Sequence, residues 1–239
     1  KGGKLVAENG KMLHQKEKNT DWSTEIKERV FHSFHRVPIT VEELQLKETT
    51  GTHQRVIDMV AHELITKERI EEWKELPGVA PGVDISRDIV KLAAIERHKN
   101  TGHVGLGFLG KYGLKKGAVA TSIGHDSHNL VIAGVTDEDM VLAGNRVIEN
   151  GGGLAIALAG KVLADLPLPI GGLMADEPVE VVDEKLEHMK KLSVELGISE
   201  DIDAFMTLAF ISLPVIPKLR LNTYGVVDVE KHQVVEARF

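Results

Sequence analysis

Cysteine is absent from the 239 residues of this chain. Disulfides and thiolate chemistry are therefore excluded, and a reducing cytoplasm is the natural setting. Aromatic residues are scarce at 4%, so Val, Ile, Leu and Ala must fill the core. Lys and Arg never run longer than a pair, as at Lys115-Lys116, and the net charge is −7. A nucleic-acid-binding surface needs a concentrated basic face, so that partner class is excluded. No apolar run reaches the roughly 18 residues of a membrane span. No secretory signal is visible in Lys1–Gly10, which is charged and glycine-rich, and none is expected. The chain also lacks an initiator Met, from which it is expected to begin inside a longer polypeptide. Several catalytic signatures are missing as well: no H-x-H pair, no H-E-x-x-H, no Walker loop and no G-x-S-x-G elbow.

What remains is an ordinary globular composition, 42% apolar and 27% charged, long enough for one large domain or two modest ones. Lys4–Ala7 and Lys11–Leu13 flank Asn9-Gly10, a strong hairpin signal, since both turn residues tolerate positive φ. A lone hairpin is marginal in water and is expected to join a larger sheet. Residues 14–24 are polar and read as a linker. Ile39–Leu46 and Arg55–Leu64 lean towards strand, and Thr66–Trp73 reads as a helical turn or an exposed connection. Pro77-Gly78 and Pro81-Gly82 mark turns.

Asp88–Glu96, Val104–Leu109, Ala118–Ile123 and Leu130–Val135 read as strands. Thr136 caps a helix with Asp139 at the capping-box position, and Gly151 stops it. Met140, Gly144, Val147 and Ile148 line its inner face. Gly152–Ala159 and Lys161–Leu166 form a hairpin around Gly160. Pro178 opens another helix, with Val182, Leu186, Met189 and Leu196 inward and Gly197 at its end. Gly225–Val229 reads as a strand. The fold class is therefore α+β, sheet-rich, with a few amphipathic helices.

One segment is chemically dense: Thr121-Ser-Ile-Gly-His125-Asp126-Ser127-His128-Asn129. It places five consecutive hydrogen-bonding or metal-binding side chains between two apolar strands, where burial is costly unless they are paired. His125 and His128 reach one ligand only if the backbone turns, since a straight strand sends them to opposite faces. Asp126 can orient a histidine, accept a proton or bind a metal. The competing reading is a turn network of Asp, Ser and Asn with incidental histidines. His32-Ser-Phe-His35 has the same spacing and reads as structural or exposed. Gly102–Gly107 lacks full dinucleotide spacing, and close backbone approach in a strand explains it better than a phosphate cradle. Arg97-His98 can contact an anion, though surface placement is the default. Asp137-Glu138-Asp139 is explained by the helix start, and Gly151–Gly153 by a helix stop feeding a strand.

A collinear set of motifs adds to this reading. Pro81-Gly-Val-Asp84, Arg97-His98, Thr101–Gly107, Gly113–Ala118, His125–Asn129 and Thr136–Met140 occur in order, followed by Asn145-Arg146, Gly151–Gly153, Leu166–Ile170, Gly172–Met174 and Phe205–Leu208. From about residue 25 to the end the chain resembles the C-terminal domain of bacterial and archaeal adenine deaminases. Residues 1–24 resemble the end of the small β domain that flanks an amidohydrolase barrel, with its linker.

The resemblance implies a (β/α)8 barrel elsewhere in the same polypeptide. That barrel would bear a binuclear divalent metal centre of manganese, iron or zinc, and its ligands cannot be placed on this sequence. It also implies hydrolysis of adenine at C6 by metal-bound hydroxide, giving hypoxanthine and ammonia, in a cytoplasmic homo-oligomer. For this chain it implies supporting catalytic roles for His125, Asp126 and His128 and substrate contacts for Ser127 and Asn129. His125 and His128 are possible auxiliary metal ligands. One departure is Gly124, where relatives are expected to carry alanine. The alternatives are a stand-alone purine- or metal-binding module, or a small hydrolase with a metal held by His125, His128 and Asp126.

Overall fold

A computed structural model describes residues 2–13, 22–47 and 50–239. Most of the expected linker, residues 14–21, lies outside the described residues. The N-terminal hairpin forms as expected from β1 (Ala7–Glu8) and β2 (Lys11–Met12) around Asn9-Gly10, both at positive φ. Among the described residues its strands pair only with each other, and Leu5, Met12 and Leu13 are exposed. Helix α1 (Thr24–Phe31) follows, capped by the Ser23 hydroxyl.

The centre is an eight-stranded sheet. Its strands in chain order are β3 (His53–Met59), β4 (Thr66–Glu72), β5 (Ile89–Ile95), β6 (Val104–Gly110), β7 (Ala118–Thr121), β8 (Leu130–Gly134), β9 (Gly153–Leu158) and β10 (Lys161–Pro167). They lie in the spatial order β10-β9-β7-β8-β5-β6-β3-β4. Every neighbouring pair is antiparallel except β3 with β6. Helix α2 (Asp137–Glu149) runs between β8 and β9. Helices α3 (Val179–Glu195) and α4 (Ala204–Ile211) precede a three-stranded antiparallel sheet of β11 (Leu219–Asn222), β12 (Gly225–Asp228) and β13 (Gln233–Val235). The protein is thus α+β and sheet-rich.

Alternation along the strands builds two cores. Val90, Leu92, Ala94, Val119, Val131, Leu154 and Ile156 face α3, α4 and the small sheet. Ala93, Ala118, Ala120, Ile132, Ala155 and Ala157 face α2 together with Ile39 and Leu44. That second face is paved with alanines, so α2 approaches closely, and few aromatics are needed. A methyl on Gly144 of α2 would lie 2.6 Å from Ile132 Cδ1. Interiors packed this tightly leave no room for it.

The α2 caps follow the sequence signals with one difference. Thr136 Oγ1 accepts the Asp139 N–H at 3.3 Å, and Gly151 ends the helix at φ +67. The Asp139 carboxylate does not close a capping box. It accepts the N–H groups of Ala159 and Gly160 at 3.1 Å each. Both of those residues have positive φ, so Asp139 holds the tight turn of the β9–β10 hairpin, where an alanine is otherwise unfavourable.

Three expectations are corrected. Thr66–Trp73 is largely strand β4, not a helical turn or connection. Its charged residues suit an edge strand, and cross-strand ion pairs hold it to β3, with Arg69 2.9 Å from Asp58 and Arg55 2.9 Å from Glu68. Ile39–Leu46 is not a strand but a loop with one 3-10 turn at Glu42–Leu44. Its apolar residues are plugs: Ile39 and Leu44 are buried under the sheet. In the other β-leaning stretch, Arg55–Leu64, the strand starts at His53 and ends at Met59 rather than Leu64. Helix α4 had no strand-or-helix signature, because apolar residues surround it almost completely.

Candidate functional site

Strand pairing dictates which loops meet. In an antiparallel pair the end of one strand lies beside the start of its neighbour. Ile95, the last residue of β5, pairs with Leu130, the first of β8. Thr121, the last of β7, pairs with Leu154, and Gly153 pairs with Pro167 at the end of β10. The turn after β5, the loop 122–129 and the segment after β10 therefore gather at one end of the sheet.

The first polar residues of the loop serve the fold. Thr121 and Ser122 are fully buried. Thr121 Oγ1 accepts the Ile123 N–H at 3.0 Å. Ser122 Oγ accepts the Gly153 N–H at 2.7 Å and donates to the Gly172 carbonyl at 2.6 Å. These bonds satisfy groups that would otherwise be costly to bury.

The centre of this end of the molecule is Arg97. It is 2% exposed, which corrects the default expectation of surface placement. Its Nε donates to the His128 carbonyl at 2.8 Å, and its two terminal nitrogens reach the Gly171 carbonyl at 3.0 Å and the Ser33 carbonyl at 3.4 Å. The Arg97 carbonyl in turn accepts the His35 N–H at 2.8 Å. The guanidinium also lies over the Phe34 ring, 4.9 Å from its centre. Gly172 is needed for the approach, because a methyl there would lie 2.6 Å from the guanidinium. One planar fork thus ties four chain segments together, a task for which arginine's fixed donors are suited. Burial lowers the Arg97 pKa, opposed by the nearby Glu96 carboxylate.

The next residue clamps the same loop. His98 Nε2 lies 2.7 Å from the Ser127 carbonyl; a carbonyl only accepts, so this nitrogen carries the proton. Successive carbonyls, Ser127 and His128, are therefore held by successive side chains, His98 and Arg97. The loop turns sharply, with His128 at φ +47. The Gly124 N–H donates to His128 Nδ1 at 3.2 Å. A methyl at Gly124 would lie 3.0 Å from the His128 nitrogen, so the glycine leaves room for this close approach.

The five expected site residues therefore sit on one turned loop. His125, Asp126 and Ser127 are exposed, and His128 and Asn129 are half-buried. The His125 ring packs at 5.0 Å against Phe210 of α4. Burial lowers the His128 pKa, and the Arg97 and His98 charges push it the same way, against Asp126. Asn129 Oδ1 is buried without a hydrogen-bond partner among the described residues. The competing pair behaves as expected: His32 is exposed at the C-terminal cap of α1 and His35 is exposed beyond it. Likewise Gly105 abuts the Asn222 backbone, the close approach expected of that strand.

Sequence reasoning missed the part played by Arg97, Gly172 and Phe210. A signal existed for the first: an arginine two residues beyond β5, a strand apolar but for Lys91, starts close to the interior. Among the described residues, no three His, Asp or Glu side chains converge to hold a metal ion. No described helix is long and apolar enough to cross a membrane.

Comparison with known proteins places this sequence in a family. Residues 63–233 match the model of the adenine deaminase C-terminal domain. The chain is 43% identical over 236 residues to adenine deaminase 2 of Carboxydothermus hydrogenoformans, covering 98% of this chain and 40% of that protein. It is 39% identical over 237 residues to the adenine deaminase of Lysinibacillus sphaericus, covering 99% of this chain and 40% of the relative. The adenine deaminase of Kosmotoga olearia is 43% identical, with 98% of this chain and 39% of the relative covered. The chain thus spans about two fifths of the length of these relatives, and with matches running along nearly all of it, it belongs to the adenine deaminase C-terminal domain family.

Proposed function

We propose that this chain is the C-terminal portion of an enzyme that hydrolyses adenine to hypoxanthine and ammonia, and that the loop His125–Asn129 contributes to its active site. The observation that carries this reading is the loop's fixed shape within a chain that matches adenine deaminases over nearly its whole length. Its backbone is held from two sides while the side chains of His125, Asp126 and Ser127 remain exposed. A loop needed only for connection would not require a buried arginine to hold it. Ser127 and Asn129 are assigned to substrate contact, and His125, Asp126 and His128 to supporting roles.

In this reading residues 25–239 form the domain, while residues 1–24 end a small β domain and its linker. The catalytic barrel belongs to the same polypeptide. The hydrolytic metal, a divalent manganese, iron or zinc ion, belongs to that barrel, because the described residues here do not fit a metal centre. The complete enzyme is assigned to the cytoplasm as a homo-oligomer.

The test is to purify the complete polypeptide and follow ammonia release from adenine in the parent and in Asp126→Ala. The parent is expected to turn over adenine, and the variant to lose about tenfold or more in kcat/KM, a loss of about 1.4 kcal/mol in transition-state stabilisation, with unchanged thermal unfolding. No turnover by the parent overturns the activity; full turnover by the variant removes Asp126 from the site. Adenine binding by the 239-residue chain alone would favour the stand-alone binding module.

A further inference from the structure

The loop contains one histidine whose hydrogen-bond geometry fixes where its proton sits. Gly124 N–H points at His128 Nδ1 from 3.2 Å. A backbone N–H only donates, so Nδ1 must offer a lone pair, and in a neutral imidazole the proton then lies on Nε2. Nε2 has no hydrogen-bond partner among the described residues, and the side chain is half-buried.

We propose that His128 is held as a neutral imidazole that presents its Nε2–H to a neutral acceptor atom of the bound ligand, a ring nitrogen or a carbonyl oxygen, and that it is not a metal ligand. The identification of that ligand as a purine rests on the proposed activity; the proton's position does not.

Three observations support the assignment. First, a histidine that binds a metal through Nε2 normally donates its other N–H to a carboxylate, carbonyl or water. Here Nδ1 faces a donor instead, so the pattern is reversed. Binding through Nδ1 is blocked by the same Gly124 N–H. Second, an imidazolium would set the Nδ1 hydrogen against the Gly124 hydrogen.

Third, the arrangement is held in place. His128 lies at positive φ with its carbonyl bound by Arg97. A methyl at Gly124 would sit 3.0 Å from the His128 nitrogen and 3.1 Å from its Cα, so the glycine leaves the N–H free to approach the ring. Two acceptors lie nearby in sequence, the exposed Asp126 carboxylate and the unpartnered Asn129 Oδ1.

The experiment has two readouts. Histidine 15N–1H correlation spectra of the 15N-labelled protein, with His128 assigned through its backbone, report directly which nitrogen is protonated. The expected result at pH 7 is an Nε2–H tautomer that stoichiometric Zn2+ does not alter. In the complete enzyme, His128→Gln keeps an N–H donor near the Nε2 position, so its KM for adenine should stay within about twofold of the parent. His128→Ala removes the donor and should raise KM about three- to tenfold.

An Nδ1–H tautomer overturns the proposal, as does Zn2+ binding that shifts His128 Nε2, or a Gln variant as impaired as the Ala variant. If the complete enzyme fails to deaminate adenine, the proposed activity fails, and the tautomer spectrum with its Zn2+ titration alone decides this inference.

Discussion

Glu96 offers a sharp test of how the site end of the sheet is held. It directly follows β5, and its carboxylate caps the turn that carries His98. Oε1 accepts the N–H groups of His98 at 2.5 Å and Lys99 at 2.9 Å; Oε2 accepts the Thr101 N–H at 2.9 Å and its hydroxyl at 3.0 Å. Partial burial pushes the Glu96 pKa up, but three backbone donors and the Thr101 hydroxyl outweigh it and hold the group at about 2, against an ordinary 4.5. That difference corresponds to about 3 kcal/mol. Solvent screening at this half-buried carboxylate brings it to about 1.5–2 kcal/mol.

Glu96→Gln places an NH2 group where one carboxylate oxygen now accepts two donors. It should therefore cost that amount, or about 3–8 °C in Tm for a chain of this size. The folded pKa is depressed, so the contribution is fully present above the unfolded value of 4.5 and is lost as pH falls towards about 2. Urea unfolding of parent and variant between pH 7 and pH 2.5 reads this directly. The gap should be constant above pH 5 and close below 4.5, because a protonated Glu96 resembles the glutamine. A gap under about 0.5 kcal/mol at pH 7, or one that persists unchanged at pH 2.5, refutes the reasoning.

Two further substitutions probe the scaffold. Gly105→Ala would drive a methyl into the Asn222 carbonyl oxygen and to 2.7 Å from the Gly225 nitrogen. Backbone cannot yield there, so a loss of about 3 kcal/mol is expected by urea unfolding, whereas Gly102→Ala meets open space at φ +79 and should lose only about 1 kcal/mol. Arg97→Lys keeps the charge but has no fork to reach the His128, Gly171 and Ser33 carbonyls together. It should cost about 2 kcal/mol or more in chemical denaturation, and a variant as stable as the parent would show that the carbonyls find other donors.

Much of the fold was legible because pattern and packing agree. The four central strands β5 to β8 are short apolar runs broken by glycine or turns, and α2 announces itself by Thr136, its acidic first turn and Gly151. What could not be read was decided by partners distant in sequence. Lys67, Glu68, Arg69, Glu71 and Glu72 look like an exposed helix, yet pairing along β3 makes them an edge strand. Ile39 and Leu44 resemble strand residues, yet each fills space beneath a sheet formed by residues from 53 onward. Asp139 sits at the capping-box position, but the two free N–H groups of a turn 20 residues away claim its carboxylate. In each case local preference loses to a long-range hydrogen bond or core contact.

The candidate site was legible in a different sense. Sequence showed a dense polar loop and left open whether it was a turn network or a functional constellation. The structure divides the loop between the two. Thr121 and Ser122 are buried; the Thr121 hydroxyl is spent on Ile123 and the Ser122 hydroxyl on β9 and on the segment after β10, and the carbonyls of Ser127 and His128 are spent on His98 and Arg97. The side chains of His125, Asp126 and Ser127 are left outward. His128 does both: Nδ1 closes the turn and Nε2 stays unpartnered among the described residues. A turn network alone would satisfy its polar side chains internally, whereas a mobile recognition loop would leave its backbone unheld. Here the buried Arg97 and its neighbour His98 hold the backbone while the side chains of His125, Asp126 and Ser127 stay exposed, which is the division expected when a scaffold presents side chains to something beyond itself.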